Sequence, residues 1–186
     1  MFATLFNFVL KPSPTINQIM QERKLRLALL GYCMGAFSVT LATMLREGQN
    51  NPFVFIFIFL SVLFFSVCIS FFFSATAHLF LELTTGRGRA AGLFVLIGLS
   101  EFTKTLLVAF TLIALSFPFL FAYKTLVVFI VFIIQLFFIL YMMQHAYGLS
   151  KKRTFFALLV SFVPAIICFF AAISILISAI VWAITA

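Results

Sequence analysis

The chain has 186 residues, of which 65% are hydrophobic and 9% charged, with twelve Lys and Arg against four Asp and Glu. A soluble domain is about half apolar and about a quarter charged, and one of this size cannot hide so much apolar surface. The formal charge of +8 does not mark a nucleic-acid binder, because no basic stripe is interleaved with polar or aromatic loop residues.

The opening stretch carries Phe2, Leu5, Phe6, Val9 and Leu10 at near-helical spacing. That pattern predicts an amphipathic helix lying in the membrane interface, with a disordered tail as the alternative. It has no basic residue ahead of its apolar run and leads into Lys11-Pro12-Ser13-Pro14, so no cleaved leader is expected. Residues 1–24 therefore read as a cytosolic or interfacial segment, and 25–186 as a transmembrane domain.

A membrane-spanning helix needs about 20 mostly apolar residues. The first such run is Leu25 to Leu45, closed by the polar turn Arg46-Glu47-Gly48-Gln49-Asn50-Asn51-Pro52. The second, Phe53 to Leu83, exceeds the hydrocarbon thickness and must tilt or project. Thr84-Thr85-Gly86-Arg87-Gly88-Arg89 follows as a basic hinge. The third run, Ala90 to Phe117, is interrupted by Ser100-Glu101-Phe102-Thr103-Lys104. The fourth runs from Phe119 to Tyr147, and the fifth from Thr154 onward, with Pro164 predicted to kink it. The runs are continuous rather than alternating, which excludes an outer-membrane barrel. The fold class is all-α: a polytopic bundle of five transmembrane helices with a short N-terminal interfacial helix.

Five crossings place Lys11, Arg23, Lys24, Arg26, Arg87, Arg89, Lys151, Lys152 and Arg153 on one side, against Arg46 and Lys124 on the other. The positive-inside rule then puts the N-terminus in the cytoplasm and the C-terminus outside. Cys33, Cys68 and Cys168 lie singly in apolar runs and are expected to serve as small packing residues.

Three groups of residues could carry chemistry. Glu101 and Lys104 share a helix face and sit about 16 Å along the axis from Ala90, near mid-membrane. Ionisable groups there face the bundle interior or a hydrated cavity. They form either an ion pair that sets helix packing or a polar site for an ion, a proton or a lipid headgroup. His78 and Glu82, one turn apart, and His145 are expected at one depth as a polar cluster on the cytosolic side, a collar of hydrogen bonds rather than a metal site. Arg87, Arg89, Lys151, Lys152 and Arg153 are expected to contact lipid headgroups. No nucleophile–base constellation is legible, so neither catalysis nor a cofactor is expected.

Three stretches carry a family resemblance. Leu10-Lys11-Pro12-Ser13-Pro14-Thr15-Ile16 before a short basic helix resembles the start of a Yip domain, the fold of Ypt/Rab-interacting membrane proteins. His78-Leu79-Phe80-Leu81-Glu82-Leu83-Thr84-Thr85-Gly86-Arg87-Gly88 looks like that family's second-span exit. Gln144-His145-Ala146-Tyr147-Gly148-Leu149-Ser150-Lys151-Lys152-Arg153-Thr154 resembles its fourth-span exit. The resemblance implies five spans, a cytosolic N-terminus and, in eukaryotes, work in membrane traffic with Rab GTPases. A short N-terminal region, and Ser-Glu-Phe-Thr-Lys where the family suggests a proline, favour a bacterial or archaeal member in the cytoplasmic (inner) membrane. The implied function is a non-enzymatic scaffold or membrane-organising protein with lipid, protein or homo-oligomeric partners. The alternative is a small transporter, channel or lipid-moving protein built on Glu101 and Lys104.

Overall fold

The computed structural model describes residues 12–22, 24–85, 90–117 and 124–185. Helix α1 spans Pro12–Glu22, α2 Leu25–Glu47 and α3 Pro52–Thr85. Then α4 (Ala90–Ser100) runs through a 3-10 turn (Glu101–Lys104) into α5 (Thr105–Ser116). The last two are α6 (Lys124–Tyr147) and α7 (Lys151–Thr185). No strand occurs among the described residues. Five helices are long and apolar enough to cross a membrane: α2, α3, the α4–α5 unit, α6 and α7. The last begins three residues earlier than the apolar run suggests, because Lys151, Lys152 and Arg153 form its first turn.

Local chemistry sets the ends. Proline opens α1 and α3, where its missing N–H costs no helix bond. Asn51 caps α3 by accepting from the Phe53 N–H at 3.0 Å. Gly48 and Gly148 close α2 and α6 with φ of 64°, the left-handed conformation that glycine adopts without steric cost.

The bundle has two unequal halves. The end that carries α1 is called the near end, and the end with the α2–α3 turn the far end. A large core fills the near half, with Leu27, Tyr32, Leu93, Leu96, Met142 and Met143 all buried. Helix α1 belongs to that core: Ile16 and Ile19 are fully buried as it packs on α4 and α6. The expected interfacial stretch Phe2–Leu10 lies outside the described residues, but the helix that follows it is a cap on the bundle rather than a float on the surface. At its corner, Lys24 pairs with Glu22 and Gln18 donates to Glu22 at 2.7 Å. Those contacts, Lys24 first and Gln18 second, hold the Glu22 carboxyl below the usual carboxylate range. Among the described residues the far half has a small core of Ala42, Leu107 and Val131.

Close approach of α2 and α4 organises the near half. A methyl group added at Gly31 would overlap the Gly98 carbonyl, and one at Gly98 would come within 2.8 Å of the Ala28 Cα. Lipid offers helices no hydrophobic drive to associate, so backbone proximity through small residues supplies the dispersion contact instead. Gly31 and Gly35 form a small-xxx-small pair: Gly31 faces this seam and Gly35, one turn on, faces Glu101.

Helices α3 and α7 form a second layer. Their shared face carries edge-to-face pairs Phe65–Phe169 at 5.7 Å and Phe73–Phe162 at 6.3 Å. Thr76 of α3 also donates to the Ser161 carbonyl at 2.9 Å, in the turn that Pro164 weakens. Helix α7 continues through Pro164, as membrane helices do when a neighbour's hydroxyl supports the loosened backbone. The outer face of α3 is exposed along its length, with Phe53 at 81% and Phe57 at 73%, as suits lipid chains.

Replacing Gly31 with Ala forces the α2–α4 seam apart. The expected cost is about 1–3 kcal/mol, the usual range for overpacking, read as a lowered midpoint in thermal unfolding of the detergent-solubilised protein. An unchanged midpoint would show that the seam can open freely.

Candidate functional site: an enclosed mid-membrane carboxylate

The interruption in the third apolar run is where the helix changes pitch. Ser100, Thr103 and Thr105 turn their hydroxyls back on the backbone, donating to Ile97 at 2.7 Å, Ser100 at 2.8 Å and Phe102 at 2.7 Å. Such back-bonding bends helices, and a 3-10 segment inside a helix often marks a functional position. The tightened turn directs Glu101 into the bundle and leaves Lys104 beside it.

Glu101 is 4% exposed. Its Oε2 accepts from Lys104 Nζ at 2.6 Å, and its Oε1 accepts from Gln135 Nε2 at 2.8 Å. The same amide lies 3.4 Å from Ser100 Oγ. On the opposite side the wall is Gly35, where a methyl group would come within 2.9 Å of the carboxylate. One turn toward the near end, Tyr32 donates to the Phe94 carbonyl at 3.2 Å. A buried charge is tolerated when it is both paired and hydrogen-bonded, and Glu101 is both.

Sequence reading found Glu101 and Lys104 and missed Gln135. The signal was present: Gln135 is a single amide inside the otherwise apolar stretch Val128–Tyr141 of α6. An amide at that depth needs a partner, and only the packing of α6 on the 3-10 turn identifies it. Gly35 was missed as well, although its spacing from Gly31 marks a close-contact face.

The expected cluster of His78, Glu82 and His145 is not assembled. Helices α3 and α6 lie at similar depth but do not pack on each other. His145 Nδ1 lies 3.0 Å from the Tyr141 carbonyl, and its ring lies 4.1 Å from that of Tyr141. His78 Nδ1 is buried with no hydrogen-bond partner, and Glu82 is exposed near the end of α3. Among the described residues no three His, Cys, Asp or Glu side chains are grouped to hold a metal.

Of the basic residues expected at headgroups, Arg87 and Arg89 lie outside the described residues. Lys151, Lys152 and Arg153 are exposed in the first turn of α7. Cations at a helix N-terminus oppose the macrodipole, so these three are not placed there for the helix's benefit. Lys152 and Arg153 border a cavity of about 500 Å³ floored by Phe80, Leu81 and Phe156.

The model of the Yip1 domain matches residues 6–184. The chain belongs to the Yip1 domain family. This Yip1 domain is an integral membrane protein with five apolar helices, in agreement with the resemblance read from its helix exits. No curated protein and no solved structure matches it.

Removing one partner of the buried pair is predicted to be far worse than removing both. Lys104→Met leaves an uncompensated carboxylate and should cost about 3–5 kcal/mol, seen as loss of the monodisperse peak in size-exclusion chromatography. The double substitution Glu101→Gln, Lys104→Met should recover most of that loss. If the double variant is no more stable than Lys104→Met, the charge is not what the pair is for.

Proposed function

We propose that this Yip1 domain is a non-enzymatic, membrane-organising protein of a bacterial or archaeal cytoplasmic membrane, with its near end in the cytoplasm. The observation that carries this reading is the closure of the intramembrane site. Both oxygens of Glu101 are committed to side chains of the same chain. The near half beyond them is filled by α1, Leu27, Tyr32, Leu96 and Met143. A conduit needs a polar route to both sides, and the core between Glu101 and α1 on the near side is apolar. The ion pair then acts as a packing device that holds α2, the 3-10 turn and α6 in one arrangement.

What remains for function is the surface. The Lys151–Arg153 rim draws anionic headgroups, since each basic residue near the cytoplasmic surface attracts them by about 1 kcal/mol. The exposed aromatic faces of α3 and α7 meet lipid chains, partner helices or a second copy. The basic residues that gather at the near end support its cytoplasmic orientation.

A carrier reading has one point in its favour: a cleft on the far side reaches Lys104. Reconstitution separates the two. Liposomes holding the wild type or the double variant Glu101→Gln, Lys104→Met should show the same ion and lipid flux as empty liposomes. Flux above that baseline, abolished in the folded double variant, would replace the organising role with transport.

Orientation is tested separately. A reporter at the C-terminus should lie outside in the wild type, and changing Lys151, Lys152 and Arg153 together to Gln should give mixed orientation. A C-terminal reporter in the cytoplasm of the wild type would invert the assignment.

A further inference from the structure

The far half contains a cleft that the closed carboxylate does not explain. Helices α2 and α6 both pack on α5 but do not touch each other. Between them lies a space of about 350 Å³, within the usual size of a small-ligand site. Its walls include Leu107, Phe110 and Val131, and its polar residues include Lys104, Gln135 and Arg46. Arg46 stands eleven residues beyond Gly35 on α2, about 16 Å along the axis. The cleft therefore spans about one leaflet, from mid-membrane to the interface.

We propose that this cleft is a binding site for an amphiphile with one anionic headgroup, a carboxylate or a phosphodiester. Charge balance supplies the sign. Two cations line the cleft: Lys104 is paired with Glu101, and Arg46 is the one whose acidic neighbour stands outside the space. Arg46 is only loosely engaged, with its Nη2 3.7 Å from the Glu47 carboxylate, and Glu47 does not line the space. Of the three ammonium donors of Lys104, one is used on Glu101. Lys104 and Thr111 both line the cleft. Apolar walls exclude a simple hydrated ion and favour a chain. Val128 and Phe132 line the cleft and are also exposed on the outer surface, so a chain can enter sideways from the bilayer. The inference does not rest on the organising role above: a liganded cleft is compatible with no flux at all.

The test uses the full chain in phosphatidylcholine nanodiscs, with diazirine-labelled palmitic acid in one arm and diazirine-labelled phosphatidylglycerol in the other. Saturable labelling of α5 and α6, mapped by mass spectrometry and competed by unlabelled oleate, is expected in at least one arm. Labelling by the free acid alone identifies a free amphiphile, and labelling by phosphatidylglycerol identifies a membrane lipid. Arg46→Gln should weaken binding about tenfold, equivalent to about 1.4 kcal/mol, with Arg46→Lys partly restoring it. Ala114→Trp should abolish labelling by filling the cleft. Should that variant not fold, Val128→Trp blocks the same space from the lipid side. Labelling in neither arm, labelling that does not saturate, or labelling indifferent to both the arginine and the blocking variants would overturn the proposal.

Discussion

A carboxylate held at mid-membrane constrains everything around it. Lipid cannot solvate Glu101, so the protein must supply its whole coordination: Lys104 from the same turn, Gln135 from α6, and a glycine wall at Gly35. Each contact demands a geometry. The 3-10 turn sets the direction of the carboxylate, the Gly31–Gly98 approach brings α2 close enough, and α6 must arrive in register to present its amide. A polar group that costs several kcal/mol when unsatisfied in the bilayer is therefore a strong filter against misregistered packing of three helices.

That constraint divides the molecule. Toward the near end, small residues let α2 and α4 close up, and α1 folds down to bury Ile16 and Ile19. Toward the far end, α5 carries Leu107 and Ala114 between α2 and α6 without drawing those two together, and the core thins to a few side chains. One half holds the large core and the other the cleft between α2 and α6, and the ion pair lies at the boundary between them. Helices α3 and α7 each give one face to the large core, through Phe73, Ala77 and Leu81 and through Ala157, Leu158 and Ala165. They stack on each other through phenylalanine and give most of their remaining surface to lipid, which is why so much of α3 is both apolar and exposed.

Particular residues show what could be read without coordinates. The interruption Ser100–Lys104 stood out because charges are rare in apolar runs, and it became the only 3-10 segment among the described residues. His78, Glu82 and His145 also stood out, and there the reading failed. Equal depth along two helices does not make them neighbours, and nothing in one dimension says that α3 pairs with α7 rather than α6. Ile16, Ile19 and Met20 fell within residues 1–24, read as a cytosolic or interfacial segment because they precede the first apolar run. Their burial depends on a surface that α4 and α6 create together.

By itself the sequence determined the solvent, the number of crossings and the class of fold, because these depend on the length and apolarity of contiguous segments. It also located the costly charge, because a lone Glu in an apolar run is visible locally. Only the tertiary structure decided that Gln135 satisfies this charge, that α1 caps one end, and that a cleft remains at the other. Those outcomes depend on which helices touch, and contact between distant segments is a property of the packed bundle, not of any stretch of chain.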